Sequence, residues 1–259
     1  MSNHPLPQGV VTMMARREQR MHHYVWHLVR NLWLFFDGAT RQRIRDLGWE
    51  PPRPALRPLP GNRREPIYNN DSGEDFLYMH RQMIAAVNAK LAAIGDPNYG
   101  RIEGWRQLPR PGDGDYPIPP AWDTGDGDLN AYLQESKSDD FFSNTLAGWE
   151  RQFSDPAYLR GRSLGDLGAR IEYTIHNRMH MRWCEPVAAY RPDVDPANPD
   201  DIDRQWDALT YDWLGDTYSS HVHRVFWRLH GWVDDRIEDW KRANDVVGPI
   251  QWRGKWLGK

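Results

Sequence analysis

The sequence predicts a mainly α-helical fold, a bundle of helices joined by long irregular loops. Apolar residues recur every three or four positions over much of the chain, the spacing that aligns side chains on one face of an α-helix. No run of alternating β-branched residues, which would indicate a strand, is present. The 20 prolines and 21 glycines among 259 residues indicate long connections. A chain of this length fits one domain, residues 1–259, with a sizeable core.

The first half of the chain contains three segments with helical spacing. Met21, Val25 and Leu32 fall on one stripe of the first segment, and Met79 and Val87 fall on one stripe of the third. Two stretches between and after them are dense in proline, glycine and charged residues, which predicts irregular surface loops. The predicted helices are 13–37, 40–47 and 74–94, and the predicted loops are 50–70 and 96–128.

The second half of the chain carries further helical segments. Ser163 and Asp166 approximate a capping box at the start of one of them. An acidic, proline-containing stretch, 191–201, interrupts the series and predicts a loop. The predicted helices are 129–135, 139–154, 163–183, 202–214 and 219–243.

Charge and apolar patterning narrow the classes of function. The formal net charge is -3, so no basic surface indicates nucleic acid or an anionic membrane as a partner. The first apolar stretch, 24–36, is interrupted by His27, Arg30 and Asn31, which is unlike a signal peptide or a membrane span. A cytoplasmic protein is therefore expected. The 14 tryptophans are interpreted as core-filling side chains.

Cysteine content excludes two kinds of site. Cys184 is the only cysteine, so the chain has no intrachain disulfide and no cysteine-based zinc or iron–sulfur cluster. Its side chain is expected to be a buried thiol. A metal site in this chain would have to use other ligands.

Histidine is the residue type that suggests a metal site. His176 and His180 are four residues apart on a predicted helix, so both imidazoles project from one face and can reach a single ion. His23 and His27 repeat this spacing on the first helix, where the alternative is a histidine-rich but structural helix. His230 lies on an apolar, aromatic helix, where a lone histidine is often only a core residue. Imidazole nonetheless suits copper well.

Two segments of the last third resemble the tyrosinase and catechol oxidase family of copper enzymes. His176-Asn177-x-x-His180 is similar to the family's HNxxH segment, and Phe226-x-x-Leu229-His230-x-x-Val-Asp is similar to its FxLHHxxVD segment. The resemblance implies a tyrosinase-like helical bundle in which His176, His180 and His230 bind the second copper. This chain departs from the family pattern where Leu229 replaces the first histidine of the HH pair, a position that supplies no copper ligand.

The resemblance is less complete around the first copper. Phe76 to Arg81 is similar to the family's FLPWHR segment, which implies His80 as a ligand. The position nine residues earlier, often a histidine in the family, is Asp71. The remaining ligand is expected from an earlier helix, where His23 and His27 are four residues apart. Together with His80 they would make a complete three-histidine site, although the family does not normally take two ligands of the first copper from that helix.

The resemblance also implies an activity and roles for neighbouring residues. Family enzymes use two coppers and dioxygen to hydroxylate phenols or to oxidise catechols. Asn177 matches a position that orients a water molecule in some bacterial members. Glu172, one turn before His176, is a candidate general base, the alternative being a solvated charge on the helix surface. Met181 and Gly231 are expected at the entrance, and Asp234 is expected to anchor a ligand or to pair with Arg236 or Arg178.

Three hypotheses follow from these observations. The first is a copper-dependent oxidoreductase that acts with dioxygen on a phenol, catechol or aminophenol, with two coppers and with a copper-delivery or carrier protein as a further partner. The second is a tyrosinase-like scaffold whose first site is altered, as Asp71 suggests, and which binds one metal for other oxidative chemistry or serves as a binding protein. The third is a helical domain with structural histidines. Loops 50–70 and 96–128 are expected to form the mouth of the site.

Overall fold

A computed structural model describes residues 6–61, 63–195, 197–198 and 201–259, and α-helix dominates them. The mainly α-helical class predicted from the sequence is confirmed. The α-helices are α1 (Gln8–Met14), α2 (Arg17–Leu32), α3 (Gly38–Asp46), α4 (Ser72–Ile94), α5 (Gly127–Lys137), α6 (Asp139–Phe141), α7 (Ala147–Gln152), α8 (Pro156–Leu159), α9 (Leu164–Ile171), α10 (Asn177–Trp183) and α11 (Arg224–Ala243).

Two of the long helices contain π-helical turns, in which the hydrogen bonds run from residue i to i+5. The turn Phe142–Leu146 joins α6 to α7, and the turn Glu172–His176 joins α9 to α10. The predicted helix 163–183 is therefore continuous, and Ser163 caps it by accepting a hydrogen bond from the Asp166 amide. Single π turns of this kind frequently occur at functional sites.

The predicted helix 202–214 is wrong. Only a short 3-10 turn, Arg204–Asp207, forms there. The buried Arg20 guanidinium donates hydrogen bonds to the carbonyl groups of Ala208 and Tyr211, each at 2.9 Å. Those carbonyls would otherwise be available to continue a helix, so this long-range contact holds the segment in an irregular conformation.

Other boundaries also differ from the prediction. The first helical segment divides into α1 and α2 because Arg16 has an extended backbone. The last helix, α11, begins at Arg224 rather than at 219, because the His223 side chain accepts the Val225 amide at 3.2 Å and caps the helix. The predicted loop 50–70 contains an antiparallel pair of strands, β1 (Leu56–Leu59) and β2 (Arg63–Pro66), with Leu56 opposite Pro66.

The contact between α4 and α9 brings parts of the later site together. Gly73 and Gly168 let the two helix backbones touch, because a Cβ atom on Gly73 would lie 2.0 Å from the Ala169 nitrogen. This close approach places His80, on α4, near the π turn that ends in His176. Within the described residues, no helix is both long and apolar enough to cross a membrane.

Candidate metal centre

Histidines from separate helices line one cavity of about 270 Å³. Five of these side chains are buried and His180 is half-buried. α2 and α4 contribute one group, and the π turn, α10 and α11 contribute the other. The histidines that line the cavity are His23, His27, His80, His176, His180 and His230.

The second set comprises His176, His180 and His230. The Nε2 atom of His176 lies 3.1 Å from the Nε2 atom of His180 and 3.1 Å from that of His230. A metal bound tetrahedrally at about 2.0–2.1 Å holds its nitrogen ligands roughly 3.3 Å apart. Two of the three nitrogen–nitrogen distances in this set, those from His176, are therefore close to the spacing of ligands on one ion.

Each ring of the second set is held through its other nitrogen. His180 Nδ1 donates to the Leu214 carbonyl at 2.7 Å, and His230 Nδ1 donates to the Phe226 carbonyl at 2.8 Å. His176 Nδ1 donates to Asn177 Oδ1 at 3.1 Å. These bonds select the tautomer that leaves an Nε2 lone pair directed at the cavity, as metal-binding histidines require.

The first set comprises His23, His27 and His80, whose ligand nitrogens lie within 4.8 Å of one another. His80 Nδ1 donates to the Phe76 carbonyl at 2.9 Å, and His23 Nδ1 donates to the Thr217 carbonyl at 2.6 Å. The Nε2 atoms of His23 and His80 are buried and have no hydrogen-bond partner in the described part of the chain. Buried polar atoms normally have partners, so these two nitrogens fit a bound metal.

The two sets adjoin one another. The His80 and His230 rings stack with centroids 4.5 Å apart, and the nitrogens of His80, His176 and His230 also lie within 4.8 Å. His80 is therefore within reach of either set. The 3.1 Å contact between His176 and His180 favours His180 as the third member of the second set.

The imidazoles of both sets are neutral at neutral pH. Burial lowers the pKa of His80 to about 3 and that of His180 to about 4. Burial, helped by the neighbouring histidines, lowers the pKa values of the other ligands well below the ordinary value, namely those of His23, His27, His176 and His230. Neutral imidazole is the form that binds metals.

Glu172 is not a solvated surface charge. Its side chain lines the cavity and is 2% exposed, and it forms a bidentate ion pair with the buried Arg30 at 2.6 and 2.7 Å. Burial raises the pKa of the Glu172 carboxyl, and the Arg30 guanidinium opposes that shift. Glu172 therefore stands at the site as a charge-balanced carboxylate, and its role as a general base stays a prediction.

Three neighbouring residues lie elsewhere than expected. Asp234 pairs with Arg81 at 2.6 Å, rather than with a histidine, Arg236 or Arg178. Gly231 packs against the backbone of Gly104, away from the cavity. Met181, as expected, lines the cavity.

Asp71 does not substitute for a histidine ligand. It is the N-cap residue of α4, in the left-handed region with φ 60°. Its carboxylate lies 4.0 Å from Arg253, and it is not among the cavity-lining residues. The first set is therefore complete without a carboxylate.

The remaining histidines have distinct positions. His221 is fully buried behind His23, with the two Nδ1 atoms 3.1 Å apart, and its Nε2 donates to the Met14 carbonyl at 3.0 Å. His22 contacts the Leu257 carbonyl outside the cavity. Cys184 is buried, as predicted.

The mouth of the cavity was predicted wrongly. Neither loop 50–70 nor loop 96–128 contributes to the lining. The rest of the cavity lining comes from helices and one turn, and the spacing of these residues in the sequence does not indicate a binding site. The lining residues that sequence reasoning missed are Asn31, Tyr132, Tyr173, Leu214, Gly215, Thr217 and Ser220.

The arrangement offers two overlapping histidine triads, each of which could hold a metal ion on neutral nitrogen ligands. The nearby Glu172 carboxylate is balanced by Arg30, so it adds no net charge to the site. Sets made only of imidazole suit copper, zinc, iron and nickel. No protein-family model and no curated protein matches this chain, so its chemistry is inferred from these residues and their surroundings.

Proposed function

We propose that this protein is a copper-dependent oxidoreductase that uses dioxygen to hydroxylate or oxidise a phenol, catechol or aminophenol. The observation that carries the proposal is the group of six histidines around one cavity, which includes two overlapping triads whose ligand nitrogens lie within 4.8 Å of one another. His176, His180 and His230 would hold one copper. His23, His27 and His80 would hold the other.

Copper fits this donor set better than the alternatives. The affinity of nitrogen sites for divalent metals peaks at copper, and neither set includes a carboxylate. The resemblance of the HNxxH and FxxLHxxVD segments to the tyrosinase family supports the same metal. Bound copper would supply the electron exchange with dioxygen that oxidation of a phenol or catechol requires.

The chain's own residues would hold the rings, admit the substrate and exclude bulk water. The Nδ1 hydrogen bonds keep the His23, His180 and His230 imidazoles in one orientation, as ligand geometry requires. A cavity of about 270 Å³ is near the lower end of small-molecule pockets, roughly 300–1,000 Å³, which favours a substrate with one aromatic ring. Tyr132 and Met181 contribute apolar surface for that ring.

Asp71 was the reason to consider a scaffold with an altered first site. Because Asp71 lies outside the cavity, it gives the altered-scaffold hypothesis no support. An Asp71→Asn variant keeps a residue type that tolerates the left-handed backbone. We expect this variant to retain the copper content of the wild type, and loss of one copper would restore the alternative.

Copper content tests the proposal directly. The protein is loaded with Cu(II), desalted and analysed for copper per chain, beside the double variant His176→Ala/His180→Ala. His22→Ala serves as the control, because His22 lies outside the cavity. We expect two coppers in the wild type and in the control, and one or none in the double variant. Oxygen uptake with phenol, catechol and 2-aminophenol then tests the activity, and wild-type protein without copper or without uptake would contradict it.

A further inference from the structure

One turn of the chain contacts both histidine sets. It comprises residues 214–221 and is called the 214–221 turn. Its Leu214 carbonyl accepts a hydrogen bond from His180 Nδ1 at 2.7 Å, and its Thr217 carbonyl accepts one from His23 Nδ1 at 2.6 Å. His180 belongs to the second set and His23 to the first. A movement of this turn would therefore shift one ligand in each set.

The other anchored ligands are held locally. His80 and His230 each donate to a carbonyl four residues earlier in their own helix, at Phe76 and Phe226. His176 donates to the adjacent Asn177. Among the Nδ1 hydrogen bonds that the described residues make for these ligands, those of His23 and His180 are the ones that reach outside their own helical segments, and both reach the 214–221 turn.

The turn is organised by the buried carboxylate of Asp216. Asp216 Oδ1 accepts a hydrogen bond from the Tyr218 amide at 3.0 Å. The Asp216 backbone carbonyl accepts hydrogen bonds from the amides of Ser219 and Ser220 at 2.9 and 2.7 Å. Arg191 completes the arrangement with contacts of 3.0 and 3.2 Å to the two carboxylate oxygens. The Arg191 and Asp216 side chains are only 4% and 8% exposed, so this ion pair is shielded from solvent.

The end of the turn makes a second contact with the first set. His221 Nδ1 lies 3.1 Å from His23 Nδ1, and its Nε2 donates to the Met14 carbonyl at 3.0 Å. With its proton on Nε2, His221 accepts from His23 while Thr217 accepts from the same donor. The position of the His23 ring therefore depends on the turn at two points.

We propose that the 214–221 turn, held by the Arg191–Asp216 ion pair, couples the two histidine sets so that metal binding at one strengthens binding at the other. A metal at the second set immobilises His180 and, through Leu214, the turn. Thr217 and His221 are then already in position to orient His23, which lowers the ordering cost of the first set. The coupling is reciprocal, because linkage requires each metal to affect the other equally. This inference rests on metal binding at both sets, as proposed above, but not on the oxidative chemistry.

The coupling is measured by calorimetric Cu(II) titration. The affinity of each set alone comes from His23→Ala/His27→Ala and from His176→Ala/His180→Ala, and these values are compared with the wild type. The same series is repeated with Asp216→Asn and with Arg191→Lys, which keeps the positive charge. Glu150→Gln is the matched control, since Glu150 is also a buried, ion-paired carboxylate that accepts a backbone amide, from Leu108, but it contacts no histidine.

We expect a coupling factor of at least about 5-fold in the wild type and in Glu150→Gln, falling towards 1 in Asp216→Asn and Arg191→Lys. Hydrogen exchange gives a second readout. In His23→Ala/His27→Ala, Cu(II) at the remaining set should slow exchange of the Tyr218, Ser219 and Ser220 amides. The inference would be overturned if Asp216→Asn bound two coppers with the same coupling factor as the wild type; if that variant does not fold, Arg191→Lys is used instead. Amide exchange unaffected by Cu(II) would also overturn it. Either result would leave the proposed function standing. A wild type that binds no copper would overturn both.

Discussion

Arg30 and Glu172 form a buried bidentate ion pair that links α2 to the π turn beside the histidine cavity, with contacts of 2.6 and 2.7 Å. Arg30 also donates to the Ser72 carbonyl at 2.8 Å, at the start of α4. One guanidinium thus ties together three segments that carry histidines. Burial alone would lower its pKa, but the Glu172 carboxylate raises the pKa of Arg30 above its ordinary value.

Replacing Glu172 with Gln is expected to leave Arg30 charged and uncompensated in the interior. We expect the free energy of unfolding to fall by about 3–5 kcal/mol, measured by denaturant titration. Oxygen uptake by the folded, copper-loaded variant should fall about 100-fold if Glu172 is the general base. Glu18→Gln, at an exposed position of α2, is the control and should change neither quantity. Unchanged oxygen uptake in Glu172→Gln would exclude the general-base role.

The buried histidines predict an acid sensitivity of the metal-free protein. The pKa values of His80 and His180 are about 3 and about 4 in the folded chain but about 6.5 in an unfolded one. As the pH falls, the unfolded chain therefore takes up protons at these histidines that the folded chain does not. The contribution of the two neutral histidines to the free energy of unfolding is complete above pH 6.5 and is lost as the pH falls towards 4. Each such histidine contributes a slope of about 1.4 kcal/mol per pH unit within that window.

Denaturant unfolding of the metal-free protein at several pH values between 7 and 4 measures this slope. Carboxylates also titrate at the acidic end, so His180→Gln is compared with the wild type under the same conditions. We expect the slope of the variant to be smaller by about one histidine's share, roughly 1.4 kcal/mol per pH unit. Identical slopes would show that His180 is not held neutral by the fold.

The Ser220 hydroxyl is a candidate contact for the substrate. Ser220 is 1% exposed, lines the cavity, and its Oγ has no hydrogen-bond partner among the described residues. Ser220→Ala removes this group without changing any histidine contact. We expect copper content to stay at the wild-type value and the KM for catechol to rise about 10-fold, the loss of one hydrogen bond. An unchanged KM would show that the Ser220 hydroxyl does not contact the substrate.

The glycine contact between α4 and α9 is expected to be essential for the first set. In Gly73→Ala the new Cβ would meet backbone atoms of α9, with the Ala169 nitrogen at 2.0 Å, so the helices must separate. We expect a loss of about 3 kcal/mol or more in unfolding free energy and weaker copper binding at the set that contains His80. Gly38→Ala, with no atom within 4 Å of the added Cβ, is the control and should be neutral or slightly stabilising. Similar stability of the two variants would contradict the close approach.

Features that depend on nearby residues could be predicted from the sequence. Helical periodicity predicted the mainly α-helical class and the course of 163–183, because hydrogen bonds and side-chain directions within a helix are local. The same locality explains why the four-residue spacing of His176 and His180 brings their Nε2 atoms together, 3.1 Å apart. The spacing of His23 and His27 likewise places both rings on the cavity side of α2.

Features that join distant parts of the chain depend on packing between elements and had no signal in the sequence. Arg20 donates hydrogen bonds to the carbonyls of Ala208 and Tyr211, which lie 188 and 191 residues away in the sequence. This is why local propensity wrongly predicted a helix there. The charge balance of Glu172 by Arg30 and the anchoring of His23 by the 214–221 turn also have no local signal. Local sequence sets which face of a helix a histidine occupies, whereas the burial, hydrogen-bond partner and neighbouring charge of that histidine depend on packing between elements.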